Sequence, residues 1–432
     1  MSQKAYPARL KQLSPTQIFC FVCFGVASGL PFLMLVSTLV VCLTEKGISP
    51  TSVGFSTLVT LPYTFKFFLS PLVDKFWLPF LSDKLGQRKC CAFVCQLSVV
   101  LSLAWLGITL KSPSFWQTGT AALCVSLCAT LQDLVLEVCR IEQTPVKSFG
   151  ISAWATTAGF RLGVLISGAG ALYAAHFLLW SHVYQLVAFC ALLLALPTLL
   201  LFKENLPHTT HKKFTRTPAV SWSETFRLAS RDLFSRHFWP KILLIFCFAK
   251  MVDVVLHTMG IPFLLSLGYT KTLYATYAKF YGFFALLAGS SICGLVLDRL
   301  SVYVGFVLAF CLQLLSALFF CAHLFLTPGT LLFASTILCE SLASGFLTTL
   351  LVAYMSRLVR KPYTTAQYGM LASLSSVVRI FWGVFAGVLV SFVSWKIFFI
   401  ALAITQFVSL FIFFKIKNVR YFLKNSLSYR GL

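Results

Sequence analysis

Long apolar runs separated by short polar breaks make up almost the whole chain. Twelve such runs follow one another nearly end to end, and a run of about 20 apolar residues spans the hydrocarbon core of a bilayer as an α-helix. The alternation of apolar and polar positions that the strands of a membrane barrel need is missing from the sequence. The pattern therefore predicts twelve transmembrane helices, at 17–43, 51–72, 89–110, 116–138, 150–177, 180–202, 239–266, 272–297, 302–326, 329–355, 366–392 and 395–415.

One long polar interruption follows the sixth predicted helix. It predicts an N-terminal six-helix bundle, a basic cytoplasmic linker and a C-terminal six-helix bundle, at 1–202, 203–238 and 239–432. Inside the linker, Ser221 and Glu224 have the spacing of a capping box. They predict a short amphipathic helix that runs through Phe234 and lies on the membrane surface.

The two halves repeat one pattern at the end of their second helix. The first half has Asp74 and Lys75 there, and the second half has Asp298 and Arg299. An internal repeat of six helices related by a pseudo-two-fold axis is the architecture of major facilitator transporters, whose halves rock about a site at the bilayer midplane. We therefore expect an all-α polytopic membrane protein with that fold, and we interpret these four residues as a latch between its states.

Composition and charge agree with a membrane protein. The chain is 58% hydrophobic and 11% charged, and its mean hydropathy is +0.86. If the N-terminus is cytoplasmic, the cytoplasmic segments carry 26 of the 35 Lys and Arg residues and the outer loops carry 4. By the positive-inside rule both termini are then cytoplasmic. The net charge of +23 is explained by topology and affinity for anionic lipid, so we expect no nucleic-acid partner.

Charged residues inside the predicted helices are the candidate functional site. They are Lys66, Asp133, Glu137, Arg161, Lys250, Asp253, Lys279, Glu340 and Arg379. Each costs at least ~2.5 kcal/mol at mid-bilayer, so the set indicates a transport pathway. The bases outnumber the acids, which favours an anionic solute. We expect Arg161 and Arg379, one from each half, to clamp carboxylates.

The buried carboxylates also suggest proton coupling. Desolvation raises the pKa of a carboxyl group and a nearby arginine lowers it, so a moving partner can load and unload a proton. His257 lies one turn after Asp253 and could relay that proton. The alternative is that these residues form fixed ion pairs between or within helices, such as Asp253 with Lys250. The fifteen cysteines are expected to be reduced packing residues, and we expect no metal site.

Several segments together resemble the anhydromuropeptide permeases (AmpG-type) of Gram-negative inner membranes, a branch of the major facilitator superfamily. The resemblance covers about 18 to 415. The matching segments are Gly25-Val-Ala-Ser-Gly-Leu-Pro31, Tyr63 through Asp74, Gln132-Asp133, Gly159-Phe-Arg161-Leu-Gly163, Lys250-Met-Val-Asp253, Lys279, Glu340 and Ser376-Val-Val-Arg379.

The resemblance implies proton-driven import of anhydromuropeptides from periplasm to cytoplasm for cell-wall recycling. The substrate would be N-acetylglucosaminyl-1,6-anhydro-N-acetylmuramic acid with or without its peptide, and the proton gradient would be the energy source, with no cofactor. We expect a monomer in the bacterial inner membrane. The expected substrate-binding residues are Arg161, Arg379, Lys250, Glu340, Gln132, Tyr63 and Lys279, and the expected proton-coupling residues are Asp133, Glu137 and Asp253.

Other functions remain open from the sequence. One is a carrier of the same fold for another bulky anion, such as acetyl-coenzyme A or a nucleotide. Another is an intramembrane enzyme, against which stands the lack of a His-Glu-x-x-His motif, of paired metal-binding residues and of a phosphate loop in the sequence. A pore or scaffold would need neither the internal repeat nor the latch.

Overall fold

The protein is helical almost throughout the part that the computed structural model describes. That part comprises residues 13–46, 57–76, 78–79, 81–111, 114–202, 222–236, 239–360 and 363–415. In lipid every backbone N–H and C=O must be paired within the chain, and a helix does this locally. The helices are α1 Pro15–Glu45, α2 Lys66–Lys75, α3 Gln87–Thr109, α4 Phe115–Gln143, α5 Phe149–Ala175, α6 Trp180–Leu200, α7 Trp222–Phe234, α8 Trp239–Ser266, α9 Thr272–Arg299, α10 Val302–Ala322, α11 Thr330–Leu358, α12 Thr364–Phe392 and α13 Trp395–Lys415.

Eleven helices of the described part are long and apolar enough to cross a membrane. They correspond to eleven of the twelve predicted spans, so the prediction of a polytopic all-α membrane protein is confirmed. The remaining predicted span, 51–72, lies partly outside the described residues. Its described part begins with a 3-10 turn, Thr57–Thr60, and continues through Leu61–Thr64 into α2.

The end of the bundle where α6 stops and α8 starts is called here the linker face, and the opposite end the distal face. The linker helix α7 follows the predicted bounds closely, ending at Phe234. Its placement differs from the prediction of a helix lying on a membrane surface. Ala229 and Leu233 are fully buried, and the ring of Phe226 lies 5.7 Å from that of Phe67 on α2. The helix therefore packs under the bundle and contacts both α2 and α12.

At the linker face the two halves share one hydrophobic core. Leu134 and Phe149 come from the first half, Leu297 and Phe346 from the second, and Leu233 from α7. All five are almost completely buried. Where helices would otherwise face water or lipid headgroups, removal of apolar surface from water is the main favourable contribution to their packing. It holds the halves together at this end.

Towards the distal face each half has a core of its own. The first-half core includes Leu103 and Tyr184, and the second-half core includes Phe263 and Phe399. The described part of the chain has no distal core cluster to which both halves contribute. The halves are thus joined at the linker face and separate above it.

Helices α1 and α5 are in backbone contact. A Cβ atom added at Gly159 would overlap the carbonyl of Val22, and one added at Gly163 would lie 2.5 Å from the carbonyl oxygen of Val26. These glycines therefore permit the close approach that the Gly-x-x-x-Gly pattern indicates. The same interpretation is wrong for Gly383 and Gly387 on α12, where an added Cβ would have its nearest neighbours at 3.9 and 3.8 Å.

Three of the long helices contain a turn of π-helix. The turns are Met34–Thr38 in α1, Ile166–Gly170 in α5 and Ala275–Tyr281 in α9. Counted at 1.5 Å per residue from the linker ends of their helices, all three lie at depths of about 26 to 36 Å. The turns in α1 and α5 are joined by a hydrogen bond of 2.8 Å from the Thr38 hydroxyl to the Ser167 carbonyl.

Candidate functional site

Charged residues of the helices lie at successive depths through the middle of the protein, and this set is called here the charged ladder. Helix length gives their approximate depth from the linker face. The depths are about 15 Å for Lys66 and Asp133, about 17 Å for Lys250, about 18 Å for Arg161, about 21 Å for Asp253 and about 27 Å for His257 and Glu340. Longer-range interactions join Arg161 to Asp253 and Glu340. Ion pairs join Lys250 to Asp253 and His257 to Glu340. Lys66 and Asp133 form a separate pair at a similar depth.

Arg161 links the two halves electrostatically. It lies on α5 of the first half and interacts with Asp253 on α8 and Glu340 on α11 of the second half. Among the described residues it makes no direct ion pair with either carboxylate. Its Nε atom is buried and has no hydrogen-bond acceptor in the described part of the chain. An unmatched guanidinium donor beside opposing carboxylates can accept an anionic group.

The two halves are in close contact between α5 and α9, on the linker side of Arg161. The indole Nε1 of Trp154 on α5 donates a hydrogen bond of 2.9 Å to the Ser291 hydroxyl on α9. Here the α5–α9 seam is tight, since a Cβ at Gly294 would lie 2.8 Å from the Cβ of Trp154. Arg161 therefore faces the space above this seam.

Two acid–base pairs of the second half line that space. Lys250 Nζ and Asp253 Oδ2 are 3.6 Å apart, which is the fixed pair considered as an alternative from the sequence. His257 Nδ1 and Glu340 Oε1 are 3.7 Å apart, and 79% of the His257 side chain is exposed whereas only 15% of Glu340 is. A cavity of about 20 Å³ lies between these two residues and Tyr274. That volume holds about one water molecule.

A third pair belongs to the first half. Lys66 on α2 is in direct contact with Asp133 on α4, and both are mostly buried. The Lys66 ammonium lies 5.7 Å from the centre of the Tyr63 ring. The hydroxyl of Tyr63 is buried without a hydrogen-bond partner among the described residues. Gln132 points elsewhere, because its amide donates to the carbonyl of Ala27 at 2.7 Å.

The predicted substrate-binding residue Arg379 has no ion pair with this ladder among the described residues. Arg379 on α12 is exposed, and it has no ion pair in the part of the chain that the structure describes. The side chain of Lys279 lies outside the described residues. The clamp of Arg161 and Arg379 therefore stays a prediction.

The predicted latch residues lie in a polar network at the linker face. Asp74 Oδ1 accepts from Arg88 Nη1 at 3.1 Å, and Arg88 also pairs with Glu142 at 3.0 Å. The Thr365 hydroxyl of the second half donates to the same Asp74 oxygen at 2.5 Å. Asp74 thus ties α2 and α3 to α12. The side chain of Lys75 lies outside the described residues.

The second acid of the predicted latch also crosses between the halves. Asp298 Oδ1 on α9 accepts from the backbone N–H of Ile151 at 3.2 Å and from that of Gly150, at the start of α5. Its sequence neighbour Arg299 is exposed and has no ion pair among the described residues. The basic partner near Asp298 is Arg357 on α11, which donates to the Leu297 carbonyl at 3.3 Å. For Asp298 and Arg299 the structure therefore does not contain an ion pair between sequence neighbours.

Arg140 is the residue that the sequence analysis missed. Its side chain is 0% exposed, although it was counted as part of a loop. It donates to Glu137 Oε2 at 2.6 Å, to the Ser152 hydroxyl at 3.1 Å and to the Ser356 hydroxyl at 2.7 Å. Ser356 lies on α11, so this last bond joins the halves. The signal available was Glu137, which stands one turn before Arg140 on the same helix face.

Glu137 belongs to this network and stands one helical turn from Asp133, on its linker side. Besides Arg140, it accepts a hydrogen bond of 2.9 Å from the Tyr368 hydroxyl on α12. Both of its partners lie at the linker face. Asp133, on the same helix face, pairs with Lys66, and a shared part of the two carboxylates in proton coupling stays a prediction.

The linker helix adds a further polar cluster at the same face, centred on Asp232. Asp232 on α7 pairs with Arg236 at 2.6 Å and with Arg360 at 3.6 Å. The Gln367 amide on α12 donates to it at 2.7 Å. Burial alone would raise the pKa of the Asp232 carboxyl, but the hydrogen bonds from Arg236 and Gln367 hold that pKa below its usual value. Arg236 also donates to the carbonyl of Leu358, the last residue of α11, at 2.7 Å.

The described residues contain no candidate metal-binding site. No group of three or more His, Cys, Asp or Glu side chains that could hold a metal ion occurs among them. All fifteen cysteines lie in the described part of the chain, where none of them forms a disulfide.

Comparisons with known proteins give the relatives of the chain. The family model described as Major Facilitator Superfamily matches residues 18–383. A protein of Rickettsia conorii named "Putative transporter AmpG 4" is 32% identical over 402 residues, which are 92% of this chain and 95% of that protein. The anhydromuropeptide permease of Escherichia coli K12 is 27% identical over 379 residues, which are 87% of this chain and 74% of that permease.

A solved structure shares the arrangement of helices. The crystal structure of a Major Facilitator Superfamily transporter, FucP, in the outward conformation matches with a TM-score of 0.63 at 14% identity. The match covers 93% of this chain and 98% of that one. At this identity the likeness concerns the fold alone.

Proposed function

Because this chain belongs to the Major Facilitator Superfamily and has AmpG transporters among its relatives, we propose that it carries anhydromuropeptides across the bacterial inner membrane. The family makes the chain a multi-pass membrane transporter rather than an enzyme, and its predicted fold is confirmed. The substrate class is supported by the relative from Escherichia coli that is named for it.

Arg161 is the observation that carries the proposal. An anhydromuropeptide is anionic through the carboxylates of its peptide and bears many hydroxyl and amide donors. Its carboxylate would accept hydrogen bonds from the unmatched guanidinium of Arg161. Its donors would face Asp253 and Glu340 on the other half. A solute that bridges the halves in this way has different contacts in each state of the transporter, which is what coupling of binding to conformation requires.

Proton coupling is proposed at the acid–base pairs of the ladder. Asp133 and Asp253 each have a lysine as ion-pair partner. Protonation of either carboxylate would release its lysine, and the free lysine would then favour the bound anion. The His257–Glu340 pair and its water-sized cavity provide a route for the proton from the distal side. Glu137 has no part in this proposal, because its partners hold the linker face closed.

The proposed direction of transport is supported by the distribution of charge and by the closed linker face. The positive-inside rule assigns the linker face to the cytoplasm. Hydrogen bonds of Asp74, Glu137, Arg140 and Asp298 close that face between the halves. The distal side, where the cores of the halves are separate, is then the periplasmic entrance. We propose import.

The test is uptake of a labelled anhydromuropeptide into vesicles that contain the purified protein, with an inward proton gradient and then without it. We expect gradient-stimulated uptake that falls about 10- to 100-fold in Arg161→Ala, because hydrogen bonds to charged groups contribute about 1.5–3 kcal/mol. Arg161→Lys should keep part of it, since lysine keeps the charge but loses the two-pronged geometry. Asp133→Asn should keep binding and lose the response to the gradient.

One result would refute the proposal that the substrate is an anhydromuropeptide. Wild-type protein that reconstitutes in one orientation and takes up no anhydromuropeptide, with or without the gradient, would refute it. Nucleotide and acyl-thioester anions would then be tested in the same vesicles. Arg379→Ala belongs in the series as well, because full uptake in that variant would remove Arg379 from the site.

A further inference from the structure

A buried hydroxyl of the second half lies against α4, the helix that carries both Asp133 and Glu137. It belongs to Tyr368, which stands in the second turn of α12 and is only 5% exposed. The hydroxyl donates a hydrogen bond of 2.9 Å to Glu137 Oε2. It also interacts electrostatically with Asp133. Tyr368 therefore connects the second half to both carboxylates.

The spacing of the two carboxylates fits one bridging hydroxyl. Asp133 and Glu137 are four residues apart on one face of α4, which corresponds to a rise of about 6 Å. Two O–H···O hydrogen bonds of about 2.8 Å that meet at a single hydroxyl span about 5.6 Å. A tyrosine hydroxyl donates one hydrogen bond and can accept another. Tyr368 already donates to Glu137, and its oxygen accepts no hydrogen bond from the described residues.

Asp133 has an oxygen available for this contact. Its Oδ2 atom meets Lys66, whereas its Oδ1 atom accepts no hydrogen bond from the part of the chain that the structure describes. A proton bound at Oδ1 makes Asp133 a donor, and the Tyr368 oxygen on its linker side can accept from it. The other charged and titratable groups around these two side chains are Glu137 and Arg140 on α4, Lys66 on α2, and Tyr63 just before α2.

We propose that the Tyr368 hydroxyl relays a proton from Asp133 to Glu137, a relay that rests on the proton coupling already proposed for Asp133. The Asp133 O–H bond breaks as its proton moves to the Tyr368 oxygen. The Tyr368 O–H bond breaks as its own proton moves to Glu137 Oε2. Tyr368 ends as a neutral hydroxyl, Asp133 ends ionised and Glu137 ends neutral, so atoms and charge balance.

Arrival of the proton at Glu137 would weaken closure of the linker face. Glu137 is the ion-pair partner of Arg140, whose side chain is completely buried. Once Glu137 is neutral, Arg140 is a buried charge without a counter-ion, which is unfavourable until water reaches it. The face then opens, and Tyr368 moves away from α4 with the second half. Because this breaks the relay, the proton cannot return through it to Asp133.

Replacement of Tyr368 by phenylalanine removes the hydroxyl and keeps the ring. In vesicles that contain the purified protein, Tyr368→Phe should lose the stimulation of anhydromuropeptide uptake by an inward proton gradient. Exchange of labelled for unlabelled solute at equal pH needs no net proton transfer, so it should persist in the variant. A gradient response as large as that of the wild type would refute the relay.

Ser356→Ala is the matched control. It also removes one hydrogen bond between the halves, the one from Arg140, but it keeps the Tyr368 hydroxyl. It should therefore keep the response to the gradient. If Tyr368 only helped to hold the face closed, the two variants would lose the same share of that response, and such a result would overturn the proposal.

A second measurement needs no solute. Infrared difference spectra after a rapid drop in pH on the distal side record the protonation of carboxylates, and Glu137→Asp identifies the Glu137 band by shifting its frequency. The band should appear about 100-fold more slowly in Tyr368→Phe, because a positioned group contributes about 100- to 10,000-fold to proton transfer. It should not slow in Ser356→Ala.

The two measurements separate the relay from the substrate. If wild-type vesicles take up no anhydromuropeptide, the proposed substrate is wrong, and the infrared rates still decide whether Tyr368 relays a proton. An unchanged rate in Tyr368→Phe, or an equal slowing in Ser356→Ala, would show that it does not.

Discussion

Replacing Ser356 by alanine should shift the protein towards states that are open at the linker face. The Ser356 hydroxyl accepts one hydrogen bond from Arg140, and this bond joins the two halves. Arg140 is completely buried when the face is closed. In the variant, one guanidinium N–H loses its acceptor in the closed state, whereas water can satisfy it once the face opens.

The magnitude follows from the cost of an unpaired buried donor on a charged group. Hydrogen bonds to charged groups contribute about 1.5–3 kcal/mol. Since about 1.4 kcal/mol corresponds to a tenfold change in an equilibrium constant, the ratio of closed to open states should fall by about 10- to 100-fold. Arg140 keeps its bonds to Glu137 and Ser152, so the fold itself should survive.

Ser152 provides a matched control. It is as buried as Ser356, and it accepts from the same guanidinium at 3.1 Å. It differs in lying on α5 of the same half as Arg140, so its bond is kept when the halves separate. Ser152→Ala should therefore lower the stability of both states and leave their ratio within about twofold.

The assay is double electron–electron resonance with genetically encoded spin labels at two exposed positions of the linker face. Asp83 on the first half and Leu300 on the second are suitable, and encoded labels leave the native cysteines untouched. The populations of short and long distances give the ratio directly. An unchanged ratio in Ser356→Ala, or equal shifts in Ser356→Ala and Ser152→Ala, would refute the assignment of this bond to closure.

Two further predictions concern stability. Gly159→Ala should lower the free energy of unfolding by about 1–3 kcal/mol, because the added methyl group overpacks against α1. Gly383→Ala should be neutral or stabilising, because the nearest neighbour of an added Cβ lies 3.9 Å away. Thermal unfolding in detergent measures both variants, and an equal loss of stability would contradict the packing argument. The lowered pKa of Asp232 means that its share of stability is full above the pKa of an unfolded aspartate, about 3.9, and is lost as the pH falls through the lower folded value. Asp232→Asn should therefore flatten the fall in unfolding temperature between about pH 5 and pH 3, and Asp83→Asn, at an exposed position, should not.

Much of the fold could be predicted because the bilayer imposes simple rules. Apolar length gives the spans, and the polar interruption marks the helix α7 within about one residue of its observed bounds. The twofold repeat gives the architecture. The sequence also finds the buried charges, since charge in an apolar run is visible without any structure. Lys250 with Asp253 could even be paired correctly by helical spacing.

The partners of charges at helix ends could not be predicted in this way. Apolar periodicity stops near 138 in the sequence, but α4 continues to Gln143, which places Arg140 inside the protein. The same holds for Arg357, which lies in the last turn of α11 and is 8% exposed. What buries both residues is contact with other helices, with α5 and α11 for Arg140 and with α9 for Arg357, and those contacts are a property of tertiary packing that spacing along the chain does not contain.

The three π-helical turns have a mechanical consequence. A π turn leaves a local gap in the hydrogen-bond ladder, so a helix bends there more easily than elsewhere. The turns in α1, α5 and α9 lie at similar depths. The distal ends of these helices can therefore bend at that level without disturbing the shared core at the linker face. We therefore expect that a solute entering from the distal side would need only local bending of the helix ends, which is a smaller motion than rotation of whole six-helix bundles.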